Sequence, residues 1–322
     1  MSSPTPSPVL SERLRSALEE LEVDPGALTA RVLDTTVTAS TLPELRHALA
    51  YKIYEVLHAG MTLGDEPALR TLRDRRYERL LSDAVAHHDT LVEASVTEAA
   101  TSADNARRIA TIDGVRTLVD APAPADAQVA RRADRDRFLL RYPSRRPALS
   151  PGFFLVDGSR GRPRTTRLRR YYLHIEDAAA APQAWGQLLT VLEGGATRYR
   201  AKISSNPLYY PRRDAIVVYL DDDDAALFDA AGIAAVLTGL GRTTSVFARE
   251  LAPGVSSAEE PSDSRPGMAR MSFGQHRSHA VAEGLMDHAL HPAGPTAEAA
   301  VCSALAQANI VPHAPWMNGD GR

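Results

Sequence analysis

Arg200-Ala201-Lys202-Ile203-Ser204-Ser205-Asn206-Pro207-Leu208-Tyr209-Tyr210-Pro211-Arg212-Arg213-Asp214-Ala215-Ile216-Val217-Val218-Tyr219-Leu220 is the stretch on which the reading of the fold turns. At its start the two-residue period of a strand puts Arg200, Lys202 and Ser204 on one face. At its end, residues 215–220 form an apolar run of β-branched and aromatic side chains, which reads as a second strand.

The alternation continues upstream. In Tyr171-Tyr172-Leu173-His174-Ile175 it places Tyr172 and His174 opposite Leu173 and Ile175. Further strand-like stretches cover 137–142, 152–156, 168–175 and 197–204. The turn signal Asp157-Gly158-Ser159-Arg160-Gly161 predicts a hairpin between the strands on either side of it. Helical spacing covers 178–192, 281–290 and 296–308, and the Pro-, Ser-, Gly- and Glu-rich stretch 251–267 reads as a long loop. Residues 121–322 are therefore expected to form an α+β domain, a sheet carrying helices.

Residues 1–120 read differently. Leu10, Leu14, Leu18 and Leu21 recur at three- and four-residue steps, and Thr41 with Glu44 makes a capping box ahead of Leu45, Leu49, Ile53, Val56 and Leu57. Helical patterning extends over 66–81 and 91–109, so this part is expected to be a helical domain. The Pro/Ala-rich segment 121–127 has the composition of a linker to the second domain.

The chain has 322 residues, a formal net charge of −3 and a pI near 6.4. That balance argues against nucleic-acid wrapping, and no apolar run approaches the ~18 to 20 residues of a membrane span. With no secretory signal and Cys302 as the lone cysteine, in an apolar pattern that reads as buried packing, a cytoplasmic protein without disulfides is expected. No metal or cofactor motif stands out: His276-x-x-His279 and His87-His88 lack further ligands at helpful spacing, and the acidic run 221–224 reads as helix capping. Of 37 basic side chains only two are Lys, Lys52 and Lys202. Arg stays protonated and cannot serve as a base, so a lysine in this background is informative.

If the two strand faces converge, Lys202 sits among Arg200, Arg212 and Arg213, with His174 nearby and Ser272-Phe273-Gly274-Gln275-His276-Arg277 opening a later helix. Guanidinium groups bind phosphate through paired hydrogen bonds, and positive neighbours favour the neutral amine of a lysine. A histidine can hand a proton to a departing group. Base, acid and phosphate clamp are the parts that remove the α-proton of a phosphorylated Ser or Thr and expel phosphate, leaving a dehydroamino acid.

At Arg170-Tyr171-Tyr172-Leu173-His174, Lys202-x-x-x-Asn206-Pro207, Tyr210-x-Arg212-Arg213-Asp214-Ala215-x-Val217-x-Tyr219, Ser272-Phe273-Gly274-Gln275-His276-Arg277 and Pro315-Trp316-Met317-Asn318 the sequence resembles the HopA-type effector family. The resemblance covers residues 137–318. Actinobacterial relatives accompany a kinase-like phosphotransferase in class V lanthipeptide and thioamitide biosynthesis, where the pair phosphorylates a precursor peptide and eliminates phosphate to give dehydroalanine or dehydrobutyrine. The family's lyase members look like phosphothreonine lyases. By that likeness the second domain has a phosphothreonine-lyase-like fold and the protein is a cofactor-independent carbon–oxygen lyase. Lys202 is then the base, His174 the acid, and Arg200, Arg212, Arg213, Arg277 and Tyr172 the phosphate holders. Tyr172 departs from the enteric enzymes, which have Lys at that place. The implied partners are a phosphorylated precursor peptide and the kinase, with the N-terminal domain binding the kinase or the leader peptide. The competing reading is a noncatalytic phosphopeptide- or kinase-binding scaffold, since this fold by itself does not establish activity.

Overall fold

The structure, a computed structural model, describes residues 9–61, 73–98, 107–112, 114–120, 137–195, 197–268 and 271–319. α1 (Glu12–Leu18) opens at Ser11, whose hydroxyl accepts from the Leu14 N–H. A three-stranded antiparallel sheet follows, β1 (Leu21–Asp24), β2 (Thr29–Val32) and β3 (Thr35–Thr38). α2 (Leu42–Ile53) begins where the capping residues place it, with the Glu44 N–H donating to Thr41 Oγ1. It runs on into a π-helical turn, Tyr54–Ala59, ended by Gly60 at φ 68°. A side chain at Gly60 would be strained by that φ and would also meet the Arg213 side chain.

After α3 (Arg75–Asp83) comes a second antiparallel sheet of β4 (Asp89–Glu98), β5 (Arg107–Ile112), β6 (Val115–Asp120) and β7 (Arg137–Pro143), in the order β6-β5-β4-β7. The expectation of a helical N-terminal region is thus corrected. Leu21 belongs to a strand, and the helix expected over 91–109 is replaced by β4 and β5, where Thr90 and Ala94 are buried at the even spacing of a strand. The linker at 121–127 and the residues expected to begin the helix at 66 lie outside the described residues.

The larger sheet is antiparallel and seven-stranded. Its strands are β8 (Arg145–Ser150), β9 (Phe153–Asp157), β10 (Leu168–Ile175), β11 (Arg200–Ser204), β12 (Arg212–Asp221), β13 (Arg249–Ala252) and β14 (Val255–Glu259). Their order, β13-β14-β10-β12-β11-β9-β8, overturns two expectations. β9 and β10 are not a hairpin, because β12 and β11 lie between them; the Gly158 turn closes on itself through the Gly161 N–H to Gly158 O bond of 2.9 Å. The stretch 251–267 is not a loop throughout: β14 pairs with β10, and its Ser256 and Ser257 are buried despite their polar composition.

One face of this sheet, with Tyr171, Leu173, Ala201, Ile203, Ile216 and Val218, packs on Trp185, Leu188 and Leu189 of α4 (Ala181–Gly194) and on Ile233 of α5 (Ala230–Val236). The other face contributes Tyr172 and Val217 to a core shared with Leu45, Leu49 and Ile53 of α2, Phe273 and Val281 of α6 (Phe273–Leu290), and Val301 and Cys302 of α7 (Ala297–Gln307). Residues from both sides of position 120 fill this one core. Cys302 is fully buried in it, and burial raises its thiol to about 11. No helix among the described residues is long and apolar enough to cross a membrane.

Candidate functional site

The register of the central strands builds the site. Lys202 on β11 stands opposite Val217 on β12, which stands opposite Tyr172 on β10. One step along, Tyr219 lies between Arg200 and Arg170. The face carrying Lys202, Tyr172, Tyr219 and Arg170 floors a cavity of about 730 Å³. Its walls are Phe153, Tyr54 and His58 of the π turn, the Arg212 and Asp214 pair, Glu260, and residues 271–275 at the opening of α6.

Lys202 is the cation here without a carboxylate ion pair among the described residues. Its Nζ lies 4.2 Å from the centre of the Phe153 ring and 5.9 Å from that of Tyr219, close enough for the ring faces to hold a cation. Burial alone would raise the Tyr219 hydroxyl, but the charges of Lys202 and Arg170 outweigh it and hold the group below its ordinary value. The two arginines of the cavity are neutralised. Arg170 binds Glu260 through Nε and Nη2. Arg212 grips Asp214 through Nε at 2.6 Å and Nη2 at 3.0 Å, and Tyr54 Oη donates to the same carboxylate at 3.3 Å. Burial would raise Asp214, but Arg212 and His58 hold it well below the usual carboxylate range. Three cations against two carboxylates leave the cavity positive.

Of the residues expected from sequence, Lys202, Tyr172 and Arg212 line the cavity, whereas His174, Arg200, Arg213 and Arg277 do not. His174 is on the expected face but one pleat beyond Tyr172, where a bulge shifts the β10–β12 register. Its Nδ1 donates to Thr243 O at 3.1 Å, and burial lowers its pKa more than that bond raises it. Arg200 pairs with Asp157 at 2.6 Å and lines an adjoining groove that also reaches Lys202. Arg213 donates to Thr243 Oγ1 at 3.2 Å and Val56 O at 3.1 Å.

Arg277 is fully buried and holds the C-terminal segment, donating to Pro315 O at 3.0 Å and Asn318 Oδ1 at 3.1 Å. Burial lowers its pKa. It also donates to His276 Nδ1 at 2.9 Å. Arg can only donate, so Nδ1 accepts and the His276 proton sits on Nε2, which donates to Asp263 at 2.8 Å.

Burial holds His276 near 4 against an ordinary 6.5. The unfolded chain takes up this proton below about pH 6.5 and the folded chain only near pH 4, so stability is full above that window and falls as pH drops through it. The expected loss between pH 7 and 4 is roughly 3 kcal/mol from this residue. Urea unfolding at several pH values checks it, and His276→Asn is expected to flatten the profile.

The sequence reading missed His58, Arg170, Tyr219 and Glu260 as cavity residues. His58 comes from the π turn, a rare element often found at functional sites, and packs edge-on against Tyr172 with ring centres 5.3 Å apart. Its Nδ1 lies 2.8 Å from Ser245 Oγ and its Nε2 3.5 Å from Asp214 Oδ2. Alternation from Tyr172 and Lys202 was the available signal for Arg170 and Tyr219. Nothing local marked His58 or Glu260, which only tertiary contacts bring in.

No curated protein matches the chain. The structure of the effector protein from Pseudomonas syringae pv. tomato strain DC3000 aligns with a TM-score of 0.47 and 14% identity, covering 85% of this chain and 96% of that one. The effector structure from Pseudomonas syringae pv. syringae strain 61 aligns at 0.44 and 15%, covering 84% and 89%. The model of the HopA1 effector protein family matches residues 144–317, which include every residue of the β11 and β12 strands and the opening of α6. That match spans more than half of the 322 residues, and the chain belongs to the HopA1 effector protein family.

Proposed function

We propose that the cavity eliminates phosphate from phosphoserine or phosphothreonine in a ribosomally made precursor peptide, giving dehydroalanine or dehydrobutyrine. The observation that carries this reading is Lys202, whose amine opens on the cavity with aromatic rings rather than a carboxylate beside it. Lys202 acts in its neutral form: the amine takes the α-proton, the Cβ–O bond breaks, and the electron pair left on Cα becomes the Cα–Cβ double bond as phosphate departs. The net positive charge of the cavity, three cations against two carboxylates, stabilises the negative charge carried to the phosphate. The protein's partners in this reading are those the resemblance implies, a kinase-like phosphotransferase and the precursor of a lanthipeptide or thioamitide.

The proton donor falls to the cavity wall. His174 stands outside the lining, roughly 12 Å from Lys202 between Cα atoms by strand spacing and rise. His58 is the histidine on the wall, with Nε2 3.5 Å from Asp214 Oδ2, and in this reading it gives the proton to the departing phosphate. His58→Gln is expected to slow elimination by more than about tenfold and His174→Gln by less than about threefold.

The test is a synthetic phosphorylated core peptide, supplied with the kinase partner, followed by mass for loss of phosphoric acid. Release of phosphate with a dehydroamino acid supports the lyase. A phosphopeptide that is retained but never converted supports the noncatalytic scaffold instead.

A further inference from the structure

The arginines of the cavity already hold carboxylates, so the phosphate needs other donors. α6 has them. Its capping box satisfies the Gln275 N–H through Ser272 Oγ and the Ser272 N–H through Gln275 Oε1. The two amides between them, Phe273 and Gly274, have no acceptor among the described residues. N–H groups at a helix start point out of its N-terminal end and carry the positive pole of the dipole, and residues 271–275 put that end on the cavity wall. Gly274 lets the helix come this close, since a Cβ there would lie 2.2 Å from the His58 ring.

A second, independent feature belongs to a residue lining the same cavity. The Tyr172 hydroxyl is buried, with the residue only 2% exposed, and it has no hydrogen-bond partner of good geometry. Burial pushes it far above its ordinary value, so it keeps its proton and can donate; the Arg170 guanidinium beside it opposes this only in part, and being a donor it leaves the hydroxyl proton without an acceptor. A buried donor left unpaired is destabilising, a burden that a ligand oxygen would relieve. Tyr172 and Phe273 have ring centres 5.7 Å apart, and Tyr172, Phe273 and Gly274 line the same cavity.

We propose that the Phe273 and Gly274 amides and the Tyr172 hydroxyl form the seat of a phosphomonoester, with the phosphate held by the start of α6 rather than by an arginine clamp. The inference rests on the lyase reading for its substrate, but its test does not. Three donors meet three phosphate oxygens while Lys202, opposite Tyr172 across β12, remains facing the α-carbon.

The test is titration of the full-length protein with inorganic phosphate, followed by amide NMR. The Phe273 and Gly274 amide signals are expected to shift with saturation, and Tyr172→Phe to weaken binding about tenfold. Tyr171→Phe, whose hydroxyl bonds Ala225 O on the opposite face, is the control and is expected to bind as wild type. Tyr172→Phe without ligand is expected to melt no lower than wild type, because it deletes an unpaired hydroxyl; a lowered melting temperature would assign Tyr172 a structural role. Unshifted amides, or equal phosphate affinity in Tyr172→Phe, overturn the seat even where the phosphopeptide is converted. Shifted amides with an unconverted phosphopeptide keep the seat and overturn the lyase.

Discussion

Lys202→Arg is expected to lower the rate of phosphate elimination by about 10²- to 10⁴-fold, the range a positioned general base contributes. The substitution keeps the charge, and a guanidinium can still rest on the Phe153 ring that now faces Nζ at 4.2 Å. It removes the one property the mechanism needs, because arginine does not give up its proton at any workable pH. Binding of the phosphopeptide is expected to survive, which separates loss of a base from loss of the site. Lys52→Arg is the matched control: Lys52 is ion-paired with Glu55 at 2.8 Å and stands outside the cavity lining, so its replacement is expected to leave the rate unchanged. A Lys202→Arg protein that eliminates phosphate as fast as wild type would sink the mechanism.

Removing the Asp214 carboxylate is expected to cost about 3–5 kcal/mol of folding stability, the usual penalty for stranding a buried charge. Asp214 and Arg212 are each 5% exposed, and the carboxylate also takes a bond from Tyr54 Oη. Asp214→Ala leaves the Arg212 guanidinium buried against Tyr54 without a counter-charge. Urea unfolding of Asp214→Ala beside Asp214→Leu/Arg212→Met measures the effect. The double variant is expected to lie closer to wild type than the single one, because it removes both charges and fills the space with apolar atoms. Equal losses in both would mean that packing around the pair, rather than the stranded charge, sets the cost. The same pair joins the π turn to β12, so this experiment also reports on how the cavity wall is anchored.

Much of the sheet was legible because strands buried on at least one face carry their period in the sequence. β10 lies at residues 168–175 as the alternation predicts, and β12 contains the apolar run 215–220. β14 was hidden by Ser256 and Ser257, whose small polar side chains give no apolar signal although both are buried. β4 was misread because Leu91, Val92 and Val96 also fit a helical spacing over so short a stretch. On the site, alternation identified the cavity-facing Lys202 and Tyr172 together with Arg200 and His174 on the same face. It could not say that a bulge and a pleat would carry His174 past the cavity, or that Asp157 would engage Arg200.

What the sequence by itself determined is which side chains can share a face, since a two-residue period is a property of the backbone. It also determined that only two of the 37 basic Lys and Arg side chains, Lys52 and Lys202, are lysines able to give up a proton. Only the tertiary structure decided which cations stay without a carboxylate. Glu260 is 90 residues from Arg170, and His58 is more than 100 from Tyr172. Charge pairing and burial depend on those long-range approaches, and they leave Lys202 without a carboxylate partner among the described residues.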